Sequence, residues 1–312
     1  MTTITDAEVA RRQAERARKR EEERLRKNLE AAGENLEARK QGSIWRGRWR
    51  ARVLLNKDDG MPKDCCVFVL SDMHFYPGEK ATLAIRAALH LADKLKPWAI
   101  VNNGDAIDGA SISRWPVSSF IELAGQPSVA EEIGAAARQL AEFEALPYVK
   151  RLIWNLGNHD ARFETWLARK VPEFAEVHGF TLKDHFPGWA PAWSTWINDD
   201  LVVKHRFKSG KYAAANNAVE SGRSMVTGHD HMLWAKAFTD YNGTRWGVGA
   251  GTTADIYAKS FVHYTEDNPV NWQQGFALLH FADHKFIGPE LVHCLPDGRI
   301  PFRGKLLKLG RS

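Results

Sequence analysis

Residues Arg151–Asp160 read RLIWNLGNHD. A short apolar run of this kind has the length and composition of a buried strand. It empties directly into a glycine, an amide, an imidazole and a carboxylate. Those four residues make either an ordinary turn or one corner of a site, and the rest of the chain decides between them. The same syntax, a strand-like run followed at once by metal-ligand side chains, occurs at four other places. Asp72 and His74 follow CCVFVL in LSDMH, and Asp105 and Asp108 follow WAIV in NNGDAIDG. His205 closes VVKH, and His229 and His231 follow SMVT in TGHDH. Between the first two runs lies EKATLAIRAALHLADKLK, with Leu83, Ala87, Leu91 and Leu95 at helical spacing; PSVAEEIGAAARQLAEFEAL, with Pro127 near its start, precedes RLIWNL, and ARFETWLARKVPEF follows it. This β-α-β-α-β order predicts an α/β fold with a largely parallel sheet. In such folds ligands bind outside the carboxyl ends of the strands, so the five clusters are expected to converge on one crevice. Beyond residue 190 strand-like runs dominate, with DYNG at 240–243 as a hairpin corner. GVGAG at 247–251 opens no helix and is expected to be a turn rather than a dinucleotide fingerprint.

The 312 residues suffice for one large or two small domains with a real core. No run of 18 or more apolar residues exists, so no membrane association is expected. The N-terminal stretch shows no apolar signal region, and a cytoplasmic location is expected. Three cysteines, Cys65, Cys66 and Cys294, make neither a disulfide framework nor a zinc site and are expected to pack as small apolar residues. The net charge of +5 is carried by residues 1–50, which hold 14 Lys/Arg against 9 Asp/Glu; the remainder is balanced. Residues 1–50 are accordingly expected to form a basic helical extension before a globular domain over 51–312. The extension is either a solvated, salt-bridged helix or tail, or an arm for nucleic acid or docking.

The joined pattern D-x-H, G-D-x-x-D, G-N-H-D, a strand-terminal His and G-H-x-H resembles the calcineurin-like metallophosphoesterase superfamily over roughly residues 65–255. The resemblance implies a four-layer α-β-β-α sandwich of two mixed sheets flanked by helices. It also implies two divalent ions: Asp72, His74 and His231 at the first, Asn158, His205 and His229 at the second, with Asp105 bridging. Mixed nitrogen and oxygen donors suit Mn²⁺ first, with Fe or Zn²⁺ as alternatives. In the family the G-N-H histidine, here His159, protonates the leaving group, with Asp160 expected to orient its ring. Gly104, Gly157 and Gly228 are expected to turn the chain sharply off its strands. Asp108 is left between support of a ligand histidine and capping of the next segment.

Arg162, Arg206 and Lys208 are candidate phosphate contacts, although Arg162 has Glu164 as another potential partner and KHRFKSGK reads equally as a solvated basic loop. Trp115 falls where a substrate-facing loop would follow GDAID. The family spans several substrate classes. GDAIDGA lacks the arginine, and GNHDA the glutamate, of the Ser/Thr protein phosphatase pattern, which counts against that class. The arginine-rich extension favours a phosphodiesterase or nuclease acting on DNA, and the overall layout resembles phage and prophage phosphoesterases. The alternative is a nucleotide or cyclic-nucleotide phosphoesterase whose extension serves oligomerisation or docking.

Overall fold

A computed structural model describes residues 52–114, 125–175, 177–199, 201–258, 261 and 268–309. The extension expected over 1–50 and Trp115 lie outside the described residues. In chain order the elements are β1 (Val53–Leu55), β2 (Cys65–Leu70), α1 (Leu83–Leu95), β3 (Ala99–Asn102), α2 (Val129–Glu144), β4 (Arg151–Asn155), α3 (Asp160–Lys170), α4 (Leu182–His185) and β5 (Ala190–Ala192). They continue with β6 (Thr195–Ile197), β7 (Leu201–Lys204), α5 (Ala213–Ser221), β8 (Ser224–Thr227), β9 (Leu233–Asp240), β10 (Gly243–Ala250), β11 (Gly275–Ala282), β12 (Lys285–His293), β13 (Arg299–Phe302) and β14 (Lys305–Lys308).

Two six-stranded mixed sheets result, ordered β12-β11-β2-β3-β4-β5 and β1-β6-β7-β8-β10-β9, beside a small β13–β14 hairpin. In the first sheet β2, β3, β4 and β5 are parallel, as the alternation with helices demands, and β11 runs antiparallel to β2. Side chains alternate across each strand. Val67, Val69, Val101 and Ile153 therefore face the second sheet, meeting Val203, Val226 and Val248 in one apolar layer. Phe68, Leu70, Ile100 and Trp154 face the other way and pack on Ile85 and Leu91 of α1 and Leu140 and Phe143 of α2. Both helices start at a designed stop: Thr82 caps α1, and Ser128 with Glu131 forms a capping box on α2. α5 covers the outer face of the second sheet. The layers are thus helix, sheet, sheet, helix, as expected.

Two local expectations meet different fates. DYNG is indeed a hairpin corner, pairing Asp240 with Gly243 between β9 and β10. GVGAG is not a turn: Gly247 and Gly249 lie inside β10. A side chain on Gly247 would collide with the Ala214 carbonyl of α5, so the glycine is there for close helix-on-sheet approach.

Candidate metal centre

β2, β3, β4, β7 and β8 all end at the same rim, and the loops that leave them are hydrogen-bonded to one another. The Asp72, His74 and Phe75 amides donate to the carbonyls of Gly104, Asp105 and Ala106, each at 2.9 Å. Five expected ligands, Asp72, His74, Asp105, His229 and His231, have φ between 44° and 72°, a left-handed conformation costly for residues of this size. The backbone is bent against its preference to aim these side chains inward. Of the three glycines expected to turn the chain, only Gly104 has positive φ (93°); Gly157 and Gly228 instead lack side chains because Asp105 and Ser71 pass too close for a Cβ.

Three clusters of donor atoms form there, each within 4.8 Å: Asp72, His74 and His231; Asp105, His205 and His229; and His74, Asp108 and His159. The first is the set expected for one ion; the second joins His205 and His229, expected for the other, to Asp105, the expected bridge. Asn158 joins the second through its Oδ1, 3.1 Å from His205 Nε2. Asp105 Oδ2 lies 3.2 Å from His205 Nε2 and 3.9 Å from His159 Nε2, while its Oδ1 accepts the His159 amide at 2.8 Å.

The donors fit divalent ions. His74 Nδ1 donates to Asp108 at 2.8 Å, leaving a buried Nε2 with no hydrogen-bond partner. His205 Nδ1 donates to the Asn103 carbonyl at 2.8 Å, which turns Nε2 toward Asp105 and Asn158. A ring whose far nitrogen is tied to a carboxylate or carbonyl is the usual arrangement of a metal-ligating histidine. Asp108 is therefore a support for His74, which decides between the two roles left open for it.

Charges in the centre are strongly coupled. Burial pushes the Asp72 carboxyl up, but His231, by charge and hydrogen bond, outweighs this and holds it down at about 2. Burial likewise opposes ionisation of Asp105 and Asp108, and their neighbouring imidazoles hold both well below the carboxylate range. Burial pulls His74 and His205 down, yet Asp108 lifts the first to about 9 and Asp105 the second to about 10. His229 goes the other way, to about 4, through burial and the neighbouring charge of His205. His74 with Asp108 and His205 with Asp105 thus form carboxylate–imidazolium pairs.

The expectation for Asp160 is corrected. Its carboxylate does not touch the His159 ring. Oδ2 accepts the amides of Asp105 (2.8 Å) and Gly157 (3.0 Å) and the Trp154 indole N–H (2.9 Å); Oδ1 accepts the amides of Ala106 (2.9 Å) and Ile107 (3.3 Å). Fully buried, it staples the loop after β3 to the loop after β4. The His159 ring is held by Asp108 instead, Nδ1 to Oδ1 at 2.9 Å. Asp108 thus touches both His74 and His159.

Among the candidate phosphate contacts, Arg162 does not pair with Glu164. It donates to the Asp108 carbonyl at 2.8 Å and lies 3.4 Å from His159 Nε2, at the mouth of the centre. Arg206 is exposed beside His205. The Lys208 ammonium pairs with Glu220 of α5. Several contributors carry no motif signal. Asn103, Asn155 and Thr195, all buried, link the two sheets through Asn155 Nδ2 to Asn103 Oδ1 (2.9 Å) and Thr195 Oγ1 to Asn155 Oδ1 (2.8 Å). Trp272 and Phe261 stack edge-on against His231 and His74, at 4.5 and 5.5 Å between ring centres, and wall the first cluster from solvent.

The family model for calcineurin-like phosphoesterase matches residues 67–251, the stretch that carries every one of these loops. The chain belongs to the calcineurin-like phosphoesterase family. Phosphoesterases of this family bind divalent metals, and the clusters described are where this one would bind them. Curated relatives include the Gene 54 proteins of Mycobacterium phages D29 and L5. The D29 protein is 27% identical, over 72% of this chain and 92% of its own. The L5 protein is 26% identical, over 77% and 97%. Similar solved structures include a Vps29 mutant from Entamoeba histolytica, 13% identical, covering 78% of this chain and 96% of its own with a TM-score of 0.38. Another is Yfce, a phosphoesterase from E. coli, 15% identical, covering 72% and 98% with a TM-score of 0.32. No helix among the described residues is long and apolar enough to cross a membrane.

Proposed function

We propose that this calcineurin-like phosphoesterase is a two-metal phosphodiesterase that cleaves DNA, with Mn²⁺ as the working metal. The observation that carries the chemistry is the pair of donor clusters, Asp72/His74/His231 and Asp105/His205/His229, sharing one rim. In this reading Asn158 would complete the second set, and Asp105 would serve both. When bound, two such ions would supply Lewis acidity toward the phosphoryl oxygens and activation of the attacking water. His159 donates the proton that the departing oxygen needs, from Nε2, because Asp108 occupies its Nδ1. Asp108 keeps the ring in that orientation, and Arg162, anchored on the Asp108 carbonyl, lays a fixed positive charge beside the same nitrogen. Asp160 acts at one remove, by holding the Asp105 loop against the Gly157 turn.

Support for DNA comes from charge. The basic excess is confined to residues 1–50. Arg162 and Arg206 add positive charge at or near the rim, although Lys208 is engaged elsewhere. A polyanion is attracted by such an arrangement in a salt-dependent way. With Mn²⁺ present, single- and double-stranded DNA, bis-p-nitrophenyl phosphate and cyclic nucleotides should be compared at several salt concentrations. Cleavage of DNA that weakens with salt and with removal of residues 1–41 is expected. Rapid turnover of the small diester or a cyclic nucleotide with DNA untouched would make the protein a small-molecule phosphoesterase, its extension serving oligomerisation or docking.

A further inference from the structure

We propose that the solvent face of α3 is a docking track for an unpaired nucleic-acid strand leading away from the scissile phosphate. The proposal rests on the DNA reading above and sharpens its substrate class. Asp160, Phe163 and Glu164 form the buried face of this helix. The opposite face carries Arg162, Trp166, Arg169 and Lys170, at positions i, i+4, i+7 and i+8, which stack along one side of a helix. Trp166 is 40% exposed, on a helix that otherwise sorts its residues by burial. Arg169 and Lys170 are exposed, and among the described residues neither forms an ion pair. The face holds no carboxylate; Thr165 is the other side chain between them.

The near end of the track is fixed to the catalytic residues. α3 begins directly after His159, and Arg162 is anchored on the Asp108 carbonyl with its guanidinium 3.4 Å from His159 Nε2. From Arg162 to Arg169 the helix rises about 10 Å, roughly three nucleotide steps at the ~3.4 Å rise of a stacked strand. A cation, an exposed indole and further cations in sequence match what an unpaired strand presents, with phosphates on the guanidinium and ammonium groups and a base face on the aromatic ring. A duplex hides its base faces in the stack, so the tryptophan specifically selects a single strand.

The test uses the full chain loaded with Mn²⁺, with single-stranded oligodeoxynucleotides of increasing length, the matching duplexes and bis-p-nitrophenyl phosphate. In the wild type, KM should fall as the single strand lengthens. Trp166→Ala should raise the KM of the longer strands about ten-fold and flatten the length dependence, while kcat/KM for the small diester stays put and Trp166→Phe restores most of the loss. Arg169→Gln with Lys170→Gln should reduce the slope of log KM against log salt by about 1.4, at ~0.7 per phosphate contact. Unchanged length dependence in Trp166→Ala, with DNA still cleaved, overturns the track and leaves the DNA reading standing. Wild-type protein that cleaves the small diester and no DNA overturns the DNA reading first. An equal rise in KM for duplex removes the single-strand selection. A changed oligomeric state in Trp166→Ala, seen by light scattering, makes the face a contact between copies and overturns the track.

Discussion

Replacing Asp160 separates two accounts of a residue that sits beside His159, the proposed proton donor, in sequence. Five N–H groups converge on its carboxylate, three at Oδ2 and two at Oδ1, and the residue is fully buried. In Asp160→Asn the single remaining oxygen does best at the three-donor position, and the new amide then faces the Ala106 and Ile107 N–H groups. Two buried donors left unsatisfied cost about 1–3 kcal/mol each, so roughly 2–6 kcal/mol in all. Burial, and then the nearby Asp105, raise the Asp160 carboxyl above its usual range; a neutral amide relieves both, drawing the loss toward the lower half of that span. Against a total stability of about 5–15 kcal/mol this is a large fraction. Urea unfolding of the metal-free protein, followed by circular dichroism, should show a lower midpoint with an unchanged slope. Asp160→Ala, which orphans all five donors, should fail to accumulate as folded protein. An unchanged midpoint in Asp160→Asn together with a pure loss of kcat would refute the stapling role and return Asp160 to the His159 ring.

Other variants read out the remaining parts. His159→Ala should retain both metals while slowing turnover of bis-p-nitrophenyl phosphate roughly 10²–10⁴-fold; loss of metal would place the ring among the ligands. Asp108→Asn, which weakens the hold on both His74 and His159, should lower both metal affinity and kcat, about 10–100-fold. A loss confined to one of them would show that only one of the two contacts matters. In the metal-free protein, His74 and His205 titrate at about 9 and about 10, so both are protonated at pH 7 and stabilise the fold there. Because these values are raised, that stability is complete below the ordinary histidine range and is lost as pH rises through about 9–10. Metal loading at pH 7 should therefore release protons, measurable by calorimetry in buffers of different ionisation heat, with affinity climbing toward pH 9. Proton-neutral loading would contradict these protonation states.

The clusters of expected ligands are legible in the sequence because each follows a strand, and topology alone carries strand ends to a common rim. Asp72, His74, Asp105, Asn158, His205, His229 and His231 all arrive there. The second coordination of the site follows a different logic. Whether Asp160 faces His159 or the Asp105 amide depends on which loop lies beside it, and that loop is 55 residues away. Nor does the sequence show that α5 brings Glu220 against Lys208. α5 itself, AAANNAVES, is short and mostly small residues, with too little apolar periodicity to announce a helix; its burial against β10 makes it one. The same contact turns GVGAG from an apparent turn into a strand. Asn103, Asn155 and Thr195 are ordinary polar residues whose buried network exists only because two sheets meet there.

Metal analysis of the Mn²⁺-loaded chain and of His229→Ala, after removal of free ion, puts the two-metal assignment at stake. Two ions per wild-type chain are predicted, with about one retained in His229→Ala and turnover of bis-p-nitrophenyl phosphate lost with the second. A wild type that saturates at one ion, or a His229→Ala variant that keeps two and full turnover, would contradict it.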